Sequence, residues 1–265
     1  MQQLSSPVSV GKLGTGGAEF VHRTRQLLAE HGRSSLQFVD DSIMKPAQLY
    51  LFVYNAVQVL GWGVILVKTI HGLSKRLTWP ELYTSVETEV KIFQTLAILE
   101  IVHAVVGLVR SPVGTTVMQV WSRLLLVWPI LHTCATVRNA RHSVGVPMLL
   151  VAWSVTEVIR YSYYALALFG AVPFFLTWMR YTFFIVLYPL GVTGELLTLF
   201  GCLPEVAEKK YYTIEMPNPA NMAFSFYAVL IGSALFYLPG FPQLYLYMFA
   251  QRKKVLYIEA AKKKQ

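Results

Sequence analysis

Tyr188 and Glu195, seven residues apart, are the pair in this chain best placed to move protons. Seven helical residues make nearly two turns, so both side chains point the same way, about 10 Å apart along the axis. A phenol and a carboxyl facing one apolar cleft can act as a proton-transfer pair. They belong to a longer stripe, because Tyr181, Phe184, Tyr188, Gly191 and Glu195 follow a 3-4-3-4 spacing down a single helix face. Pro189 lies between them and removes a helix hydrogen bond, which predicts a kink or a loosened turn. Gly191 and Gly194 leave space for a neighbouring helix or a substrate chain.

Other ionisable groups fall inside apolar stretches. Glu100 and His103 share a face, as do Gln119 and Arg123, and Glu157, Arg160, Tyr161 and Tyr164 line one stripe. Such groups are costly in lipid, by roughly 2.5–3.5 kcal/mol each, so they must face a protein interior. The plain readings are structural. An interior tyrosine packs and makes one hydrogen bond. Glu157 with Arg160 reads as an ion pair, and Glu100 with His103 as a satisfied interior pair or a relay. Arg110, Arg138 and Arg180 near span ends snorkel to head groups. Periodicity alone leaves an enzyme, a transporter and a scaffold open.

The elements that must carry these residues are membrane helices. Only 14% of the 265 residues are charged and 55% are apolar, against about 25% charged in a soluble chain. The fold class expected is all-α, a polytopic membrane helix bundle of about six spans. These run roughly 49–68, 92–109 (after a polar loop), 113–135, 146–168, 174–200 and 224–249. The longest late loop is 201–223. Residues 1–45 read as a mobile tail, 46–250 as the transmembrane domain and 251–265 as a basic cytoplasmic tail. An even number of spans puts both termini on one side, and the C-terminal lysines and Arg252 favour the cytoplasm. The ending Lys262-Lys263-Lys264-Gln265 resembles a dilysine endoplasmic reticulum signal. On this topology Glu195 falls in the lumenal half of its span.

Several chemistries are excluded. The net charge of +9 is concentrated in the C-terminal flank and fits anionic lipid rather than nucleic acid. The glycines from Gly11 to Gly17 lack the Lys-Ser/Thr pair of a phosphate loop. No His-Glu-x-x-His, histidine cluster or Gly-x-Ser-x-Gly elbow occurs. Cys134 and Cys202 form no disulfide framework and no metal motif, and read as buried small residues. A phosphatase loop starting at Cys134 would need Arg at position 140, which is Ala.

Four segments resemble the 3-hydroxyacyl-CoA dehydratases of very-long-chain fatty acid elongation, also called protein tyrosine phosphatase-like or PASTICCINO2-like. They are Arg110-Ser-Pro-Val-Gly-Thr-Thr with Gln119-Val-Trp-Ser-Arg123, then Ala152-Trp-Ser-Val-Thr-Glu157-Val-Ile-Arg160-Tyr161-Ser-Tyr-Tyr164. Arg180 through Leu196 and the ending from Pro239 to Lys254 follow. The resemblance runs from about Ala47 to Val255. It implies removal of water from a (3R)-3-hydroxyacyl-CoA to give the trans-2-enoyl-CoA, in the endoplasmic reticulum membrane, with elongases and reductases as partners. No metal or other cofactor is implied. The family's catalytic tyrosine and glutamate fall on Tyr188 and Glu195. Arg160, Tyr161, Arg180, Tyr181 and Gly191 are the expected substrate-binding residues. A catalytically silent scaffold of the same family and a lipid or ion carrier are the rival readings.

Overall fold

The computed structural model describes residues 46–134, 140–219 and 221–262, the last six without their side chains. The expected tail over 1–45, Arg138 and the side chains of the terminal lysines lie outside the described residues. The elements are α1 (Pro46–Ser74), α2 (Trp79–Leu96), α3 (Ile98–Val105), α4 (Val113–Leu125), α5 (Gly145–Ala167), α6 (Phe174–Arg180), α7 (Phe184–Lys209) and α8 (Phe226–Lys262). A π-helical stretch, Leu126–His132, extends α4, and a 3-10 turn, Ala140–His142, leads into α5. No strand occurs among the described residues; one isolated bridge pairs Ile214 with Phe224 between α7 and α8.

Three stretches are long and apolar enough to cross a membrane: α1, the joined α6–α7 stretch Phe174–Lys209, and α8 over Phe226–Leu256. The chain is an all-α membrane protein, with apolar side chains such as Leu60 (71% exposed) outside and Gln58, Gln94 and Glu157 buried within. Lipid, not water, matches that distribution.

Four sequence expectations change. The polar loop ahead of the second span is largely helix. Thr78 and Glu81 form a capping box at the start of α2, and Leu82, Tyr83, Val86 and Val90 bury one face of it. The Thr78 hydroxyl and amide hold the Glu81 carboxyl below its ordinary range. The fifth expected span is interrupted at residues 181–183, whereas α7 continues through Pro189. Pro189 cannot donate to the Ile185 carbonyl; the Tyr245 hydroxyl donates to it instead, at 2.9 Å. The late loop is shorter than expected because α7 continues to Lys209, where Lys210 adopts left-handed geometry and caps onto the Val206 carbonyl. Cys134 and Cys202 are buried as expected, yet they are paired as a disulfide, with Cα atoms 6.2 Å apart.

Pro129 accounts for the π-helical stretch. It removes an amide donor from α4's continuation, and the ladder widens there. Beyond it, the Arg141 guanidinium donates to the Leu131 carbonyl at 2.7 Å and to Glu87 at 2.9 Å.

The bundle is packed solid at one end. Val127, Ile130 and Leu131 meet Leu149, Leu150 and Trp153 of α5, Leu199 and Val206 of α7, and Leu230 of α8. Gly194 permits this close approach, because a Cβ there would lie 2.8 Å from the Gly145 carbonyl oxygen and the Leu149 nitrogen. Towards the other end the same helices diverge around a cavity.

Candidate active site

The cavity has a volume of about 580 Å³, within the usual range for a small-molecule site. All five residues of the expected stripe line it: Phe184, Tyr188, Gly191 and Glu195 from α7, and Tyr181 from the break that precedes α7. Gly191 lines the cavity and also lies against α5, where a Cβ would meet the Ala152 side chain at 3.4 Å. Gly194 serves helix packing more tightly.

Glu195 lies at the inner part of the cavity and is held by two neutral donors. The Trp153 indole donates to Oε1 at 2.8 Å, and the Tyr237 hydroxyl donates to Oε2 at 2.6 Å. Tyr188 is held by ring contacts rather than hydrogen bonds, in a cluster where Phe241 and Tyr245 also touch each other at 5.4 Å. Its ring stacks on Phe241 at 5.1 Å and on Tyr245 at 5.9 Å, with interplanar angles of 6° and 14°. Its hydroxyl has no hydrogen-bond partner among the described residues, so it is free to meet a ligand in the cavity. Neither group is the most expensive kind of buried charge, a carboxylate or phenolate facing hydrocarbon alone.

Beside the cavity runs a chain of ion pairs. Glu157, fully buried, contacts Arg123 and the Arg160 Nε, the latter at 2.7 Å. Arg160 continues to Glu100 at 2.6 Å, and the Tyr161 hydroxyl also bonds Glu100. The expected Glu157–Arg160 pair is present and is one link of a longer network. Glu100 and His103 are not partners of one another; His103 instead meets the Tyr50 hydroxyl at 2.8 Å. Arg123 lies over the Trp153 ring at 5.9 Å, which joins this network to the Glu195 clamp.

Among the expected substrate-binding residues, Arg160, Arg180, Tyr181 and Gly191 line the cavity, whereas Tyr161 does not. Tyr161 is buried on the other side of α5, where its hydroxyl serves Glu100. Arg180 does not snorkel away from the protein. It lies 4.5 Å and 4.6 Å over the rings of Tyr163 and Tyr164 and bonds the Tyr164 hydroxyl at 3.1 Å. No carboxylate pairs with it among the described residues. Arg180 and Gln251 stand at one end of the cavity and Glu195 and Phe236 at the other. The fifteen helical rises from Phe236 to Gln251 along α8 give that wall a length of about 22 Å.

Sequence reasoning missed Trp153 and Tyr237 as partners of Glu195. A signal existed, since Tyr237, Phe241 and Tyr245 recur every fourth residue on α8 and so share one face. No metal-holding group of three His, Cys, Asp or Glu occurs among the described residues.

A family model described as protein tyrosine phosphatase-like protein, PTPLA, matches residues 94–257. The chain is 67% identical over 210 residues to the very-long-chain (3R)-3-hydroxyacyl-CoA dehydratase hpo-8 of Caenorhabditis elegans, covering 79% of this chain and 95% of that relative. It is 43% identical to very-long-chain (3R)-3-hydroxyacyl-CoA dehydratase 2 of Homo sapiens, over 79% of this chain and 82% of the relative. It is 39% identical to the dehydratase PASTICCINO 2 of Arabidopsis thaliana, over 79% of this chain and 93% of the relative. No solved structure matches the chain. With more than half of its length matched by the family model and relatives this similar covered over most of theirs, the chain belongs to the protein tyrosine phosphatase-like PTPLA family.

Proposed function

We propose that this protein is a very-long-chain (3R)-3-hydroxyacyl-CoA dehydratase, a hydro-lyase of the fatty acid elongation cycle, with Tyr188 and Glu195 as its catalytic pair. The observation that carries the site is the facing of a partner-free phenol and a fixed carboxyl into one largely apolar cavity. Glu195 takes the C2 proton, which the thioester acidifies. The electrons of that C–H bond form the C2–C3 double bond as the C3–O bond breaks. Tyr188 gives its proton to the departing hydroxyl, and water leaves. The hydrogen-bond roles favour this assignment, because Glu195 already accepts at both oxygens and Tyr188 has a proton to give.

The cavity's direction suits an acyl-CoA. Arg180, with no acidic partner, and Gln251 mark the end towards which α8 continues into Arg252, Lys253 and Lys254. Guanidinium groups suit phosphate, so we assign the CoA end to Arg180, with the acyl chain running on past Tyr188 and Glu195 towards Phe236. Arg160 and Tyr181 flank the thioester, and Gly191 leaves it room. With both termini cytoplasmic, that end opens towards the cytosol. A thioester arm reaching along the cavity then meets Glu195 without crossing the bundle. Dehydration within the elongation cycle fits an endoplasmic reticulum membrane, beside elongases and reductases.

Detergent-purified protein should convert a (3R)-3-hydroxyacyl-CoA to the trans-2-enoyl-CoA, and Tyr188→Phe should lower the rate by about 100-fold or more. An inert wild type that still binds elongation enzymes would establish the scaffold reading instead.

A further inference from the structure

Glu195 sits on a helix face with little to hold it. Helical side chains lean towards the preceding turn, and the residue one turn before Glu195 is Gly191, which presents no side chain. Gly194 adds none beside it. A glutamate has three rotatable side-chain bonds, so packing on its own helix leaves the carboxyl free to swing across the cavity. Its orientation must come from other helices.

Two groups supply it, and they come from opposite walls. Trp153 of α5 reaches Oε1 at 2.8 Å, and Tyr237 of α8 reaches Oε2 at 2.6 Å. Each oxygen keeps a lone pair, so the clamp sets the plane of the carboxyl without consuming its capacity to accept. Trp153 is itself buried in the core and covered by Arg123. Tyr237 has Ser122 of α4 beside its hydroxyl. The same α8 stripe then places Phe241 and Tyr245 against the Tyr188 ring, and Tyr245 also occupies the carbonyl that Pro189 leaves open. One face of the last helix thus backs both members of the catalytic pair.

We propose that Tyr237 is a positioning residue for dehydration, acting through Glu195 by fixing its carboxyl opposite Trp153. This rests on the site proposed above and extends it to two residues outside the α7 stripe. A carboxyl free to turn misses the near-attack geometry, and a displacement of about 1 Å can cost about 100-fold in rate.

The test uses the full chain in detergent, with Tyr237→Phe, Trp153→Phe and Glu195→Gln assayed beside wild type for kcat, KM and unfolding midpoint. Tyr237→Phe removes one oxygen and keeps the ring. It should lower kcat by about 10- to 100-fold with KM changed by less than about 3-fold and the unfolding midpoint kept. Trp153→Phe should show the same split, and it decides the matter if Tyr237→Phe fails to fold. A kcat within about 2-fold of wild type in the folded variants, beside an inactive Glu195→Gln, would overturn the positioning role and leave the site intact. A raised KM with kcat kept would overturn it too, by making Tyr237 a substrate contact. Wild-type turnover by Glu195→Gln would instead remove the site reading itself.

Discussion

The same four helices, α4, α5, α7 and α8, are packed solid at one end and hollow at the other. At the packed end Leu149 and Leu150 face Leu199, Val206 and Leu230, and Gly194 lets two backbones touch. At the hollow end Gln119, Arg160, Tyr188 and Glu195 line open space. The ion-pair network lies alongside this hollow end, and its carboxylates differ from Glu195. Glu157 is answered by two full charges and faces no cavity. Glu195 is answered by two neutral donors and does face one. A buried acid neutralised by arginines is committed to the fold, whereas one held by an indole and a phenol remains available to a substrate.

This contrast predicts separable losses. The largest belongs to Glu195→Gln, which should cut turnover by about 100- to 10,000-fold and leave the unfolding midpoint near wild type. Glu157→Gln should do the reverse. It strands Arg123 and leaves Arg160 with Glu100 alone, at about 3–5 kcal/mol of stability, read as early thermal unfolding in detergent. Leu150→Ala, at the packed end, should cost about 2–5 kcal/mol while turnover per folded molecule is preserved. Tyr245→Phe should be milder, a few-fold in kcat, because Phe keeps the stack on Tyr188 and loses only the bond to the Ile185 carbonyl. The smallest effect lies outside the spans. The capping bonds lower the Glu81 carboxyl's pKa, so its contribution is present above the unfolded carboxyl's pKa. It fades as pH falls through the lower folded value. Unfolding midpoints between neutral and acid pH should therefore show a slightly weaker acid dependence in Glu81→Gln.

How much of this was legible in the sequence follows from the range of each signal. The α7 stripe was readable because a helix repeats locally and its four residues on one face need no knowledge of the partner, whereas the break at residues 181–183 was not. The Glu157–Arg160 pair was readable for the same reason, at i and i+3. Trp153 and Tyr237 were not, since which donor reaches Glu195 depends on how α5 and α8 pack across α7. Tyr161 misled because it shares a helix with Arg160 and Tyr164, yet points into the α1–α3 side of the bundle. Pro189 shows a different limit. Its lost hydrogen bond was certain, but the rescue of Ile185 by Tyr245, sixty residues away, is a tertiary event. The contacts at Gly191 and Gly194 look alike as residues, and only with α5 in place does Gly194 prove the tighter of the two.

The most direct test measures trans-2-enoyl-CoA formation and the unfolding midpoint together, for Glu195→Gln and Leu150→Ala in the same detergent. The account predicts a stable, inactive first variant and a labile second variant whose folded fraction turns over normally. Near-wild-type turnover by a folded Glu195→Gln would contradict it, and Glu195 would then belong with Glu157 as a carboxyl committed to the fold.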